Sequence, residues 1–137
     1  MSVIDYNMGI LIVDDSTSMR RIVKKFLFNN EFSNFYEAAD GHQALDVLKK
    51  ESIDLIICDL NMPNMDGLTL LEIVKKDDAL KNIPFIILTV EAIQRTMNKA
   101  LALNVDSYIV KPVEEKVFIA EMRRVLEGGG DEPRLLL

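Results

Sequence analysis

The sequence predicts a doubly wound α/β fold, in which five strands form one parallel sheet in the order 2-1-3-4-5 and five helices flank it. Three observations predict it. Five short apolar runs alternate with five segments of helical periodicity. Several runs are apolar at every position, as strands buried on both faces of a parallel sheet must be. Right-handed crossovers leave few topologies for such an alternation.

The first strand is Ile10–Val13, and Met19, Ile22, Val23, Phe26 and Leu27 then recur at helical spacing. Phe35–Ala38 is the second strand, followed by a helix marked by Ala44, Leu45, Val47 and Leu48. Leu55–Cys58 is the third, and Leu68, Leu71 and Val74 mark its helix. Phe85–Leu88 precedes a helix carrying Ile93, Met97, Ala100 and Leu101. Tyr108–Val110 precedes the last helix, with Phe118, Met122, Val125 and Leu126. Gly128-Gly129-Gly130 and Asp131-Glu132-Pro133 end that helix. The expectation is one domain over residues 1–127, flavodoxin-like in topology, and a flexible tail over 128–137.

A chain of 137 residues, 49% apolar, builds one ordinary domain and leaves no room for a second. Sixteen Lys and Arg against 22 Asp and Glu give a net charge of −6, which argues against a surface that neutralises nucleic-acid phosphates. The single cysteine, Cys58, excludes an internal disulfide and a cysteine-built zinc site, and reads as a buried packing residue. No apolar run approaches the ~20 residues that span a bilayer, and no export signal follows Met1. A cytoplasmic monomer without membrane insertion is expected.

In an open parallel sheet, ligands sit beyond the carboxyl ends of the strands. There the chain places Asp14-Asp15 after strand one, Asp59 after strand three, Thr89 after strand four and Lys111-Pro112 after strand five. Each alone has a plainer reading: solvated turn, helix cap or surface charge. Their coincidence at four strand ends selects the functional one. Two like charges ~4 Å apart repel by about 4 kcal/mol at an effective dielectric near 20, so three carboxylates call for a cation besides Lys111. Oxygen ligands in an open site suit octahedral Mg²⁺. The chemistry suggested is attack by Asp59 on phosphorus while metal and Lys111 neutralise the transferring oxygens. Thr89 would then hydrogen-bond the new group and draw the following segment with it.

These residues, with LIICDLNMPNMDGLTLL at Leu55–Leu71, VDDSTSMRRIV at Val13–Val23, EAADG at Glu37–Gly41, TVEA at Thr89–Ala92 and YIVKP at Tyr108–Pro112, resemble the response-regulator receiver family over about Gly9 to Leu126. The single-domain chemotaxis regulators are especially similar. The 2-1-3-4-5 strand order is itself exemplified by such a regulator, so fold and resemblance are not independent. The resemblance implies Mg²⁺ held by the Asp15 and Asp59 side chains and the Asn61 main-chain carbonyl, with Asp14 acting mainly through water. It implies phosphorylation of Asp59, contact of Lys111 with the phosphoryl group, a cis Lys111-Pro112 bond and inward movement of Tyr108 with Thr89. The Asn61 and Glu91 side chains would set the phosphoryl lifetime. The donor would be a histidine kinase or a small acyl phosphate. The output would be a downstream protein on the face of helix four, strand five and helix five, in chemotaxis or motility signalling.

A stand-alone switch, rather than a turnover enzyme, is therefore the leading expectation; a phosphorelay shuttle, a phosphate sink and an unphosphorylated interaction module are the alternatives. Val90, bulkier than the alanine common in relatives, would narrow access to the phosphoryl group or limit Thr89. Ile93 is expected in the core and Ile119 on the flank of its stripe, both near the output face. Arg20, Arg21, Lys24 and Lys25 form a basic stripe, either a docking surface or a solvated helix face. His42 reads as a surface residue. A haloacid-dehalogenase-type phosphatase is disfavoured because Asn61 stands where such enzymes carry an acid–base aspartate. A flavodoxin-like cofactor binder is disfavoured because Asp14 and Asp15 would repel a phosphate beside Ser16-Thr17-Ser18.

Overall fold

A computed structural model describes residues 4–128 and 134–137. The elements alternate as predicted: β1 (Ile10–Val13), α1 (Thr17–Phe28), β2 (Phe35–Ala38), α2 (Gly41–Lys50), β3 (Leu55–Cys58), α3 (Gly67–Lys76), β4 (Phe85–Thr89), α4 (Gln94–Ala102), β5 (Ser107–Val110) and α5 (Glu115–Leu126). A further strand, β6 (Arg134–Leu136), follows. All neighbours pair in parallel, in the order β2-β1-β3-β4-β5-β6.

The strands β1, β3 and β4 are buried at every position, so alternate residues feed two cores. On one face Leu11, Val13, Ile56, Cys58, Phe85 and Ile87 meet Ala44, Leu48, Leu71, Val74, Met97 and Ala100 of α2, α3 and α4. On the other, Ile10, Ile12, Leu55, Ile57 and Ile86 meet Val23, Leu27, Phe118 and Met122 of α1 and α5. Both layers pack against the sheet, and loops leave from its carboxyl-end edge. Three helices that start at this edge are capped by the residue before them: Ser16, Asp40 and Asp66 accept from the N–H groups of Met19, Gln43 and Thr69.

Three expectations need correction. The sheet has six strands rather than five: Arg134–Leu136 pairs in parallel with Ser107–Ile109, and of the tail expected over 128–137, residues 129–133 lie outside the described residues. Successive leucines explain it, because Leu135 packs on one core and Leu136 on the other, the period-two alternation a strand requires. Ile93 is not core. It precedes α4 as its cap residue and is 56% exposed, since the helical stripe begins only a turn later at Met97. Conversely Ile119 is buried, at 5%, because α5 lies closely against the sheet and widens its apolar stripe. Cys58 is buried and His42 exposed, as the sequence predicts.

Candidate functional site

Strand order brings the ends of β1, β3, β4 and β5 together. One carboxylate oxygen from each of Asp14, Asp15 and Asp59 lies within 4.8 Å of the others, Asp14 being buried, Asp59 largely buried and Asp15 exposed. Lys111 Nζ reaches across from the end of β5 to 3.3 Å from Asp14 Oδ2 and 3.8 Å from Asp59 Oδ2. All three side chains of these two pairs are nearly enclosed, with exposures of 9–12%.

Backbone donors orient the acids. The Ser16 N–H donates to Asp14 Oδ1 at 2.9 Å, and the Leu60 N–H donates to Asp59 Oδ1 at 2.7 Å. Asp59 Oδ2 is thus turned toward Lys111. Burial lifts the Asp14 carboxyl above its ordinary value; the Ser16 N–H and Lys111 oppose the rise and the Asp59 charge adds to it. Three carboxylates and one ammonium leave a formal charge of −2, and the donor set is hard oxygen throughout, so the residues fit a small divalent cation.

Thr89 is fully buried at the end of β4, where its carbonyl accepts from the Lys111 N–H at 2.7 Å. Its hydroxyl accepts from the Glu91 N–H at 3.4 Å. Tyr108 points inward and donates its hydroxyl to the Glu91 carbonyl at 2.7 Å. Burial, helped by the charges of Glu91 and Asp59, pushes its phenol up to about 12. The Lys111-Pro112 bond is cis. Asn61 is exposed two residues beyond Asp59, and Val90 is 68% exposed beside Thr89.

Other residues support the site in ways the sequence left open. Arg20 and Lys24 each pair with Glu37 at 2.9 Å, and the Arg20 guanidinium also donates to the Asp14 main-chain carbonyl. Half of the basic stripe is thus engaged within the domain, while Arg21 and Lys25 stay exposed. Cys58 lies against the Asp59 carbonyl at 3.0 Å, and burial holds its thiol well above the usual range.

Gly67 is a supporting residue the sequence reading missed. A Cβ there would lie 2.2 Å from the Asp59 carbonyl oxygen and 2.9 Å from the Leu60 Cα, both main chain. The Gly67 N–H donates to the Leu60 carbonyl at 2.9 Å. Only a glycine lets α3 start this close to the end of β3. The Asp66-Gly67 pair after a strand was the available signal, a helix cap followed by a close approach.

A doubly wound sheet with three carboxylates, a hydroxyl and a lysine gathered at one edge defines a receiver. The chain belongs to the response-regulator receiver domain family, whose model matches residues 10–123. It is 40% identical to the chemotaxis protein CheY-3 of Vibrio cholerae, over 92% of this chain and 97% of that one. It is 39% identical to the chemotaxis protein CheY of Pseudomonas aeruginosa, over 88% and 97%. The solved chemotaxis response regulator CheY4 of Vibrio cholerae superposes with a TM-score of 0.79 at 31% identity, covering 87% of this chain and 98% of that one. Family and relatives place the chain in two-component signalling. Among the described residues, no helix is long and apolar enough to cross a membrane.

Proposed function

We propose that this chain is a CheY-like receiver switch that accepts a phosphoryl group on Asp59 from a histidine kinase, with Mg²⁺ bound, and passes the change to a protein partner in chemotaxis or motility signalling. The observation that carries the reading is the position of Asp59: its Oδ1 is held by the Leu60 N–H, and its Oδ2 faces Lys111 within an acidic cluster.

Asp59 Oδ2 attacks phosphorus, the new O–P bond forms, and the donor's P–N or P–O bond breaks with its electron pair leaving on the donor. Lys111, 3.8 Å away, sits where it can neutralise an oxygen of the arriving group. Asp15 and Asp59, with the Asn61 carbonyl, would hold Mg²⁺, and Asp14 would act beside them. Bound Mg²⁺ would supply charge neutralisation for the phosphoryl oxygens. Thr89, once hydrogen-bonded to the product, would pull on the segment that Tyr108 grips through Glu91. Asn61 and Glu91 flank the site as candidates for controlling hydrolysis. The chain then works by shifting populations between two states, not by turnover. The net charge of −6 disfavours a nucleic-acid partner, and a cytoplasmic location is part of the same reading.

The test is intact mass after incubation with an acyl phosphate, with and without Mg²⁺, for the chain and for Asp59→Asn. Gain of one phosphoryl group that requires both is expected. Acid-stable labelling of Asp59→Asn, or no gain in rapidly quenched wild-type samples, would remove the reading.

A further inference from the structure

The sheet does not end at β5. Its outer edge is taken by Arg134–Leu136, which lies beyond the residues matched by the family model. The pairing is Ser107 with Arg134, Tyr108 with Leu135 and Ile109 with Leu136. It is a slight attachment. The strand has three residues, Leu135 and Leu136 are only half-buried, and Arg134 is exposed. Between β6 and α5 a groove of about 320 Å³ stays open, with Val117, Ala120 and Leu136 among its walls. Arg134 reaches the buried carboxylate of Glu121 at 3.8 Å with its own side chain 55% exposed. Strands held by so few contacts open far more often than the core of the sheet they join.

What β6 covers suits an extended chain: a strand edge that only β6 pairs, an apolar surface on each face of the sheet, and the Glu121 carboxylate, which Arg134 approaches at 3.8 Å in addition to its bonds from Arg124 and Ser107. We infer that Arg134–Leu136 is a displaceable cover, and that the β5 edge accepts an extended segment of a partner protein, read as a cation followed by two apolar residues, only when β6 leaves. The inference deepens the proposed function, since it gives regulation and peptide chemistry to the partner face, and rests on that reading only for calling the face a partner surface. Tyr108 is the shared element: it pairs with Leu135 in β6 and holds the Glu91 carbonyl beside Thr89. A change at Thr89 therefore reaches the cover through one strand.

The first measurement is native-state hydrogen exchange on the unaltered full chain. Amides of 134–136 should exchange at least about a hundredfold faster than those of β3 and β4 under conditions where the core stays closed. Equal protection would make β6 a part of the core and overturn the inference. The second uses a synthetic peptide with the sequence of residues 128–137 added to the full chain and to the full-length Leu135→Asp/Leu136→Asp variant. The variant should bind the peptide saturably, at least about tenfold more tightly than the unaltered chain, with renewed protection at 107–110. Equal affinity, no binding by either, or a concentration-dependent dimer formed through 134–136 would each overturn it. Neither measurement uses a phosphodonor, so failure here and failure of Asp59 as acceptor are read separately.

Discussion

The Tyr108 hydroxyl donates to the main-chain carbonyl of Glu91 at 2.7 Å, tying β5 to the segment that follows Thr89 at the end of β4. The phenol is held inward, fully buried, and its ionisation is pushed up to about 12 by that burial first and by the Glu91 and Asp59 charges second. Tyr108→Phe removes one neutral hydrogen bond and should cost about 0.5–1.5 kcal/mol by urea denaturation. Amides of residues 90–93 should exchange faster, while acyl-phosphate labelling persists. Unchanged exchange there would show that the bond does not restrain the segment.

Gly67→Ala should be among the most damaging single changes near the site. The added Cβ meets Asp59 and Leu60 main chain, which cannot move aside as a side chain can. A loss of at least ~1–3 kcal/mol is expected, with slower labelling because the Asp59 main chain must shift. Gly41→Ala is the comparison: the nearest atoms to its Cβ belong to the flexible Met65 side chain, so its effect should be smaller. Urea midpoints and labelling rates of the two variants decide it.

The Asp59 charge should stabilise the chain through bound metal and destabilise it without metal. Mg²⁺ should raise the thermal midpoint of the unaltered chain, by the equivalent of ~2.7 kcal/mol at a hundredfold excess over Kd, and a chelator should reverse it. Asp59→Asn should lose that response. Without metal, the same variant should be more stable than the unaltered chain, because one of three clustered carboxylates is gone. Scanning calorimetry with and without Mg²⁺ reads both signs.

Glu121 anchors α5 to β5. It accepts from the Ser107 hydroxyl and from Arg124 at 2.8 Å, and burial, which raises its carboxyl, is outweighed by these partners so that the net shift is downward. The unfolded chain therefore binds this proton more readily. Its stabilisation is complete above pH 4.5, the ordinary value, and is lost as pH falls through the lower folded value. Glu121→Gln should flatten the acid limb of stability against pH. Glu121→Ala should cost toward the lower end of ~3–5 kcal/mol at neutral pH, since Arg124 keeps 19% exposure. Urea denaturation from neutral to acid pH checks both.

The sequence by itself determined the order of elements and the residues at the strand ends. Apolar runs such as Ile10–Val13 and Leu55–Cys58 read directly because a strand buried on both faces is apolar at nearly every position. Asp14, Asp15, Asp59, Thr89 and Lys111 read directly because parallel topology sends every strand's carboxyl end to one edge. Tertiary structure decided what local pattern could not. Ile93 and Ile119 exchange their expected places because burial depends on where a helix meets the sheet, not on the spacing within it. Gly67 matters through an approach to Asp59 that appears only when α3 packs against β3. Arg134–Leu136 becomes a strand because β5 offers it an unpaired edge, and three residues have no sheet-forming tendency until such an edge exists.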